Sequence, residues 1–271
     1  MNVLYIGDIM GSFGVEVVSK VLPQIKKDYE IDVTIAQSEN VTNGKGISQQ
    51  DYRYLKNIGI DFFTGGNHSF SDHSIDSNVS DMNQPIIVPA NYDDQSFKKG
   101  AKILKTVFGD ILIVSLLGKV VGKDANAQIN NPLMTINKIL ADYDKEKLVA
   151  IIVNFHGDYS SEKVVIGHFL DGRVNAVIGD HWHIPTADAR LLPKGTAHIT
   201  DVGMCGSQDS SLGIKYEIIV NRWLNNNKSR NILENSGAWQ FNSVLVKIDE
   251  KKAKTVSIQS ISLTDKNYSQ H

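Results

Sequence analysis

Cysteine is nearly absent from this sequence, since Cys205 is the only one among 271 residues. A single thiol excludes an intrachain disulfide, as expected for a protein of the reducing cytoplasm. It also disfavours a structural zinc site, because such sites usually take several thiolate ligands. We therefore expect a cytoplasmic protein without a thiolate metal site.

Long hydrophobic segments are missing as well. The first residues, Met1 to Asp8, carry no basic leader, and their apolar run is too short for a signal peptide. No apolar stretch elsewhere approaches the roughly 20 residues of a membrane-spanning helix. The sequence thus predicts no membrane partner.

The charge balance is nearly even, with 28 Lys and Arg against 30 Asp and Glu and a formal net charge of -2. Such a balance gives no general attraction to nucleic acid or to an anionic membrane. Long nucleic acid is therefore not an expected partner.

Three common motifs are also absent from the sequence: the Walker loop, the Gly-x-Ser-x-Gly elbow and the Gly-x-Gly-x-x-Gly fingerprint.

Short apolar runs alternate with helix-like segments along the chain. The predicted strands are 3–6, 33–36, 61–64, 86–88, 111–117, 148–155, 176–178 and 197–200, and the predicted helices are 15–27, 48–57, 132–142 and 161–169. Pro23 is expected to kink or interrupt the first helix, and Ser48 to cap the second. Residues 119–131 are predicted to form a loop or lid, and 225–236 an irregular segment.

The C-terminal region changes character. Residues 241–248 and 255–263 alternate apolar and polar side chains, which predicts an antiparallel hairpin. Together with the alternating strands and helices this indicates an α/β protein. We expect one domain over residues 1–271 that ends in the hairpin, about 241–263.

Carboxylate and amide side chains follow the first two predicted strands. Asp8 comes directly after strand 3–6 and a glycine, and Glu39 with Asn40 follows strand 33–36. Side chains at such positions reach the crevice where α/β proteins bind ligands. For Asp8 a helix N-cap is an equal alternative. The turn after Asn40, Asn43-Gly44-Lys45-Gly46, allows close backbone approach to a ligand but is also common at surfaces.

The third predicted strand ends in Gly65-Gly66-Asn67-His68. The glycines permit a tight turn, Asn67 offers a neutral oxygen ligand, and His68 can donate a proton or bind phosphate. The alternative is an ordinary turn.

Three further histidines follow later strands. In extended backbone His181 and His183 would share one face, so that both imidazoles enter one site while Trp182 points away into packing. An exposed polar loop is the alternative. His156 ends the most apolar strand, where a lone histidine is more often a hydrogen-bonded core residue than a ligand. The other histidines lack a comparable setting: His73, His168, His198 and His271.

These side chains have more weight as a set than singly. Carboxylates, carboxamides and imidazoles gathered at strand ends indicate a two-metal hydrolytic site. Mixed oxygen and imidazole ligands suit divalent iron, manganese or zinc better than calcium or magnesium.

Five ordered motifs now allow a resemblance to be stated. They are Leu4-Tyr5-Ile6-Gly7-Asp8, Glu39-Asn40 with Gly44-Lys45-Gly46, Gly66-Asn67-His68, Phe155-His156 with Ser161-Glu162-Lys163, and the stretch from Thr186-Ala187-Asp188 to Asp201-Val202-Gly203-Met204. With them the chain resembles the calcineurin-like metallophosphoesterases, and within these the YmdB-like bacterial subgroup. The resemblance covers nearly the whole length.

The resemblance implies a sandwich of two mixed β-sheets flanked by helices, in the layer order α/β/β/α, with a dinuclear metal centre. Glu39 would bridge two divalent ions, with iron or manganese favoured and zinc as an alternative. Asp8, Asn40 and His183 would complete one metal site, and Asn67, His156 and His181 the other. His68 would be the proton donor and not a ligand.

Several positions depart from the broader superfamily. Met10 stands where a histidine is usual, and Glu39 where an aspartate usually bridges the metals; the subgroup shares both differences, so Asn40 replaces the missing ligand. Ser38, Asp158 and Asp180 are more particular to this chain. The two aspartates are expected to add carboxylates near the site and to alter the preference for substrate charge or metal.

The implied activity is hydrolysis of phosphodiesters, with 2′,3′-cyclic nucleotides among the substrates. A phosphomonoesterase or phosphoprotein phosphatase is the nearest alternative, and a metal-containing regulatory protein with incidental turnover is another. A nuclease for longer RNA is disfavoured by the charge balance. The expected partners are a small phosphodiester or nucleotide and further copies of the chain in a homo-oligomer.

Overall fold

The computed structural model describes residues 1–92, 98–121, 128–144 and 147–268. The predicted loop at 119–131 therefore lies partly outside the described residues, and His271 lies wholly outside them.

The first sheet is mixed and has seven strands in the order β2-β11-β12-β1-β3-β4, with β13 pairing β12 on its other edge. Its strands are β1 Asn2–Ile6, β2 Asp8–Ile9, β3 Val33–Gln37, β4 Phe62–Thr64, β11 Met204–Ser207, β12 Trp239–Asp249 and β13 Lys254–Thr264. The strands β1, β3 and β4 run parallel, so their carboxyl ends meet at one edge.

The second sheet is also mixed and has six strands in the order β5-β6-β7-β8-β10-β9. Its strands are β5 Ala101–Thr106, β6 Gly109–Leu117, β7 Leu148–His156, β8 Ala176–Asp180, β9 Arg190–Leu191 and β10 Ala197–Ile199. The four strands β6, β7, β8 and β10 are parallel. Their carboxyl ends therefore form a second edge that carries polar side chains.

Helices cover the outer faces of both sheets. The helices of the described residues are α1 Gly11–Asp28, α2 Gln49–Asn57, α3 Asp76–Ser80, α4 Pro132–Asp142, α5 Ser160–Leu170, α6 Tyr216–Asn225 and α7 Asp265–Tyr268, with 3₁₀ turns at His73–Ile75 and Lys98–Gly100. One apolar cluster joins the first sheet to α1 and α2, a second lies between the sheets, and a third joins the second sheet to α4 and α5. The layer order is thus the predicted α/β/β/α. Among the described residues, no helix has both the length and the apolar composition needed to cross a bilayer.

The first strand explains how one segment serves two cores. Val3 and Tyr5 point between the sheets, whereas Leu4 and Ile6 point towards the outer helices. Successive side chains of a strand face opposite sides, so an unbroken apolar run buries both faces. This places Asp8, just beyond the strand, at a rigid and fully buried edge.

The C-terminal strands β12 and β13 pair antiparallel along almost their whole length, with one irregularity at Lys247/Ile248. On its other edge β12 pairs antiparallel with β1, for example through Leu4 and Leu245. The hairpin is therefore a structural part of the first sheet, beside the strand that leads to Asp8.

Two local predictions are wrong. Residues 86–88 form no strand, because only one isolated bridge joins Ile86 to Phe63. Pro23 does not interrupt the first helix, which runs without a break from Gly11 to Asp28 with the exposed Pro23 inside it; the alternative of a kink stays a prediction. The predicted cap is confirmed: the Ser48 hydroxyl accepts from the Asp51 N–H.

A buried lysine stabilises the segment that follows β4. The Lys102 ammonium is 1% exposed and donates to the carbonyls of Val79, Asp81 and Gln84 at 2.9, 2.8 and 3.2 Å.

We expect Lys102→Met to lower the free energy of unfolding by about 1–3 kcal/mol, because buried acceptors lose their donor. Chemical denaturation measures this. Lys105→Met, at an exposed position of the same strand, is the control, and equal stability of the two variants would contradict the prediction.

Candidate metal centre

The polar side chains at the carboxyl ends of the two sheets face one another. β1, β3 and β4 of the first sheet lead to Asp8, Glu39 and Asn67, while β7 and β8 of the second sheet lead to His156 and His181. The structure therefore brings the predicted residues into one cleft at the end of the sandwich. The alternative of Asp8 as a helix cap does not hold, because Met10 occupies the N-cap position and makes no side-chain cap bond.

Glu39, His156 and His181 form the tightest group. One ligand atom from each lies within 4.8 Å of the others. The Nε2 atom of His156 lies 3.1 Å from Oε1 of Glu39 and 3.0 Å from Oδ1 of Asn67. The rings of His156 and His181 meet edge to face at 4.5 Å between centroids. Four of the predicted residues thus surround one point.

Asp8, Asn40 and His183 form a second group beside the first. Nδ2 of Asn40 lies 3.1 Å from Oδ1 of Asp8, 3.3 Å from Oε1 of Glu39 and 3.2 Å from Nε2 of His183. Glu39 consequently touches both groups. In this orientation the amide nitrogen of Asn40 faces Asp8, Glu39 and His183, while its oxygen faces His68.

His68 lies at the edge of both groups. Its backbone N–H donates to Oε2 of Glu39 at 2.8 Å, and its Nδ1 lies 3.0 Å from Oδ1 of Asn40. About a quarter of its side chain is exposed, whereas Glu39 is buried. His68 is thus oriented by two candidate ligands and remains open to the pocket.

The backbone of His181 and His183 is not extended, contrary to the prediction. Both residues have positive φ, 106° and 64°. Non-glycine residues rarely adopt such values, and strain of this kind collects at functional sites. This turn, and not the alternation of side chains along an extended strand, brings the two imidazoles into the site. Trp182 is half-buried against Lys163, whose Nζ lies 4.1 Å from the ring centroid, and also lines the pocket.

Asp180 supports His156 from behind. Its Oδ1 lies 2.7 Å from Nδ1 of His156, and its Oδ2 accepts from Tyr5, Gln37 and Asn154 at 2.8, 3.0 and 2.6 Å. With Nδ1 bound to this carboxylate, the imidazole presents Nε2 to the site. The expected extra carboxylate is therefore near the site but faces away from the cleft.

A buried ion pair holds the turn that carries His181. Nζ of Lys163 donates to the Asp180 carbonyl and to Oδ2 of Asp201, each at 2.7 Å, and the same Oδ2 accepts from the Trp182 N–H at 2.9 Å. The roles of Lys163 and Asp201 were missed from the sequence, although both lie in the motifs that carry the resemblance. Gln37 and Asn154 were missed too. Each is a polar residue at or near the end of an apolar strand, and this pattern could have identified them in the sequence.

Asp158 and Ser38, which with Asp180 depart from the pattern of the subgroup, lie in different surroundings from Asp180. Oδ2 of Asp158 lies 3.2 Å from Nε2 of His181 and accepts from the Val121 N–H at 2.6 Å. This aspartate is thus beside the site, as expected. Ser38 donates to the Thr64 carbonyl at 2.9 Å and so joins β3 to β4.

Within the described residues, the side chains of His73, His168 and His198 do not line this pocket. His198 is buried on β10, with Nδ1 lying 3.3 Å from the Val177 carbonyl. His73 is mostly exposed and pairs with Asp76.

Burial and mutual charge shift the ionisation of the cleft. Burial, followed by the charge of Asp180, holds the pKa of Asp8 well above its usual value. Burial opposes ionisation of Glu39 as well, but His156 outweighs it and lowers the pKa of this carboxyl. Burial and then His156 lower the pKa of His181 to about 4, which leaves the ring neutral at pH 7.

These residues fit a divalent metal ion. Anionic oxygens, amide oxygens and neutral imidazoles are the donors that iron, manganese and zinc accept. Glu39 and Asp8 are both buried, so positive charge placed between them would stabilise their ionised forms. The cleft opens into a pocket of about 590 Å³, within the range of roughly 300–1,000 Å³ for small-molecule sites.

Comparison with known proteins decides the family. A family model described as YmdB-like protein matches residues 4–261. The chain belongs to the YmdB-like family. The resemblance seen in the sequence motifs is thereby confirmed over nearly the full length.

Two relatives and one more distant structure place this YmdB-like chain. It is 34% identical over 265 residues to the 2′,3′-cyclic-nucleotide 2′-phosphodiesterase of Bacillus subtilis, with 98% of each chain covered. A crystal structure of a Mycoplasma pneumoniae protein described as a novel phosphatase has a TM-score of 0.88 at 29% identity, with 100% of this chain and 96% of that chain covered. A 5′-nucleotidase precursor of Thermus thermophilus has a TM-score of 0.56 at 11% identity, covering 97% of this chain and 54% of that chain. This last match concerns the fold alone and confirms the predicted metallophosphoesterase-type sandwich.

The role of Asp180 in this YmdB-like chain gives a test of the metal centre. We expect Asp180→Asn to weaken metal binding by about 10–100-fold, because the partner that orients a histidine ligand is lost. Calorimetric titration of manganese into the metal-free protein measures this, with thermal melting as the check of folding. Asp142→Asn, on the exposed surface of α4, is the control; equal affinity in both variants would refute the supporting role.

Proposed function

We propose that this phosphoric ester hydrolase cleaves phosphodiester bonds of small nucleotides, with 2′,3′-cyclic nucleotides as substrates. The observation that carries the proposal is the convergence of Glu39 with both ligand groups, within 3.1 Å of His156 and 3.3 Å of Asn40. The name of the Bacillus subtilis relative supports the diester as the substrate class.

In this proposal the cleft holds two divalent ions, of iron or manganese. Glu39 would contact both ions; Asp8, Asn40 and His183 would hold one, and Asn67, His156 and His181 would hold the other. Two such ions lower the pKa of a bound water from about 15.7 towards neutrality and neutralise phosphate charge. Asn40 takes part through its oxygen, which needs a half-turn of the amide from the orientation described above, an assignment that rests on hydrogen bonding.

His68 acts as the proton donor in the proposal. With the Asn40 amide turned in this way, its nitrogen faces Nδ1 of His68 and donates to it, so the ring carries its proton on Nε2 and is held in one orientation. Its partly exposed face lines the pocket, where the leaving alkoxide would form. A positioned imidazole at this place can give a proton to that oxygen.

The test is elemental analysis of freshly purified protein together with a substrate panel. The panel contains 2′,3′-cyclic nucleotides, linear phosphodiesters and the matched phosphomonoesters. We expect two metal equivalents per chain, and a kcat/KM for diesters above that for monoesters. A higher value for monoesters, or activity that survives complete metal removal by a chelator, would overturn the proposal.

A phosphomonoesterase is the alternative, since the same residues can serve either reaction. A regulatory protein with incidental turnover is the other, and the placement of His68 speaks against it because a purely structural metal site needs no proton donor. If a variant without turnover still restored the phenotype of a deletion strain, the regulatory function would replace the catalytic one.

We also propose that residues 1–271 act as one domain in the cytoplasm and that copies of the chain associate. The outward face of α6 supports association, because Tyr216, Trp223 and Leu224 are 54%, 85% and 78% exposed. Size-exclusion chromatography with light scattering measures the molar mass and so tests the association. A monomeric mass at all concentrations would contradict it.

A further inference from the structure

Besides candidate ligands, the lining of the pocket includes two cationic side chains. Lys45 belongs to the Asn43–Gly46 turn after β3, and Arg222 belongs to α6. Ile219 and Arg222 are three residues apart on the helix, so both lie on its pocket side. The proposed metal centre uses neither of these two cations.

Both cations lack an acidic partner within the parts of the chain that the structure describes: no carboxylate lies within 4.0 Å of Lys45 or Arg222. Arg222 is nevertheless held in place, because its Nη2 donates to the Ser229 carbonyl at 2.6 Å and its Nε to the Ser229 hydroxyl at 3.2 Å. A guanidinium has five N–H groups, so donors remain for a ligand. The acidic side chains of the pocket, Glu39 and Asp158, lie among the candidate ligands and their neighbours.

The same pocket also has an apolar wall. Met10, Ile214 and Leu233 pack together and line the pocket, with Ile219 against them. Gly44 lies against Leu233 and Met10, so the turn that carries Lys45 rests on this wall. Such a surface suits a flat ring system and offers no hydrogen-bond donor to a phosphate.

We propose that Lys45 and Arg222 form a second anion subsite that selects nucleotides with a phosphate in addition to the scissile one. The ligand class is a nucleoside 2′,3′-cyclic phosphate that also carries a 5′-phosphate. The scissile phosphate then lies at the metal centre, the nucleoside on the apolar wall and the 5′-phosphate between the two cations. The inference rests on the proposed phosphodiesterase function and narrows its substrate.

The experiment compares adenosine 2′,3′-cyclic phosphate with its 5′-phosphorylated form, using the metal-loaded protein. We expect the wild-type kcat/KM to be at least about tenfold higher for the 5′-phosphorylated substrate, because charge-assisted hydrogen bonds to the extra phosphate are formed. The difference should lie mainly in KM and shrink at high salt.

The double variant Lys45→Gln and Arg222→Gln should lose this preference while it retains turnover of the simpler substrate. Lys247→Gln and Arg53→Gln, at exposed positions on β12 and α2, are the matched controls. Equal wild-type kcat/KM values, or a preference that survives in the double variant, would overturn the subsite and leave the phosphodiesterase proposal intact. If neither substrate is hydrolysed while a monoester is, both proposals fail.

Discussion

Replacing Glu39 with glutamine is expected to abolish turnover and to empty both metal sites. The side chain is buried and touches His156, Asn40 and the His68 backbone, so its charge serves both ligand groups. Glutamine has the same shape but lacks the anionic oxygens. Bound metals supply several kcal/mol of transition-state stabilisation, so kcat/KM should fall by at least about a thousandfold.

The measurement combines steady-state kinetics with elemental analysis of the purified variant. Glu16→Gln, at an exposed position on α1, carries the same chemical change and should leave both quantities unaltered. If Glu39→Gln kept two metal equivalents and near-normal turnover, Glu39 would not be the shared ligand. Loss of one equivalent alone would assign it to a single metal.

Replacing His68 with asparagine has the second largest expected effect, and a different one. We expect the metal content to remain, because His68 lies at the edge of the ligand groups, and kcat to fall by about 10²–10⁴-fold. The loss should depend on the leaving group. A p-nitrophenyl diester, whose leaving group needs little protonation, should be affected much less than a cyclic nucleotide.

His73→Asn is the control for this experiment, since His73 lies in the same loop region with its side chain 82% exposed. Loss of metal from His68→Asn would show that His68 is a ligand. An equal loss of rate on both kinds of substrate would remove the proton-donor role and leave only a part in binding.

Much of the fold follows from apolar runs that end in polar residues. The runs at β1, β3, β6 and β7 are long enough to bury both faces, so composition alone locates them. The two-residue strands β2 and β9 carry no such signal, because pairing in the completed sheet creates them. α6 has no buried residue, so it lacks the apolar stripe that reveals other helices.

The candidate site shows the same division. Motif order pointed to the side chains that meet in the cleft. It could not show that the Asp180 carboxylate faces Tyr5, Gln37 and Asn154, because these residues lie on three different strands. Nor could it show the positive φ of His181 and His183, since neither is a glycine.

The pairing of β12 with β1 has a consequence for how the enzyme is made. The Gly7 N–H, next to Asp8, donates to the Asn242 carbonyl at 3.0 Å, although nearly the whole chain lies between them. Closing a contact of such long range costs loop-closure entropy and slows folding. During translation β1 is made well before β12, so a growing chain lacks this support beside Asp8 until β12 has been added. We therefore expect a nascent polypeptide without β12 to be inactive as a hydrolase.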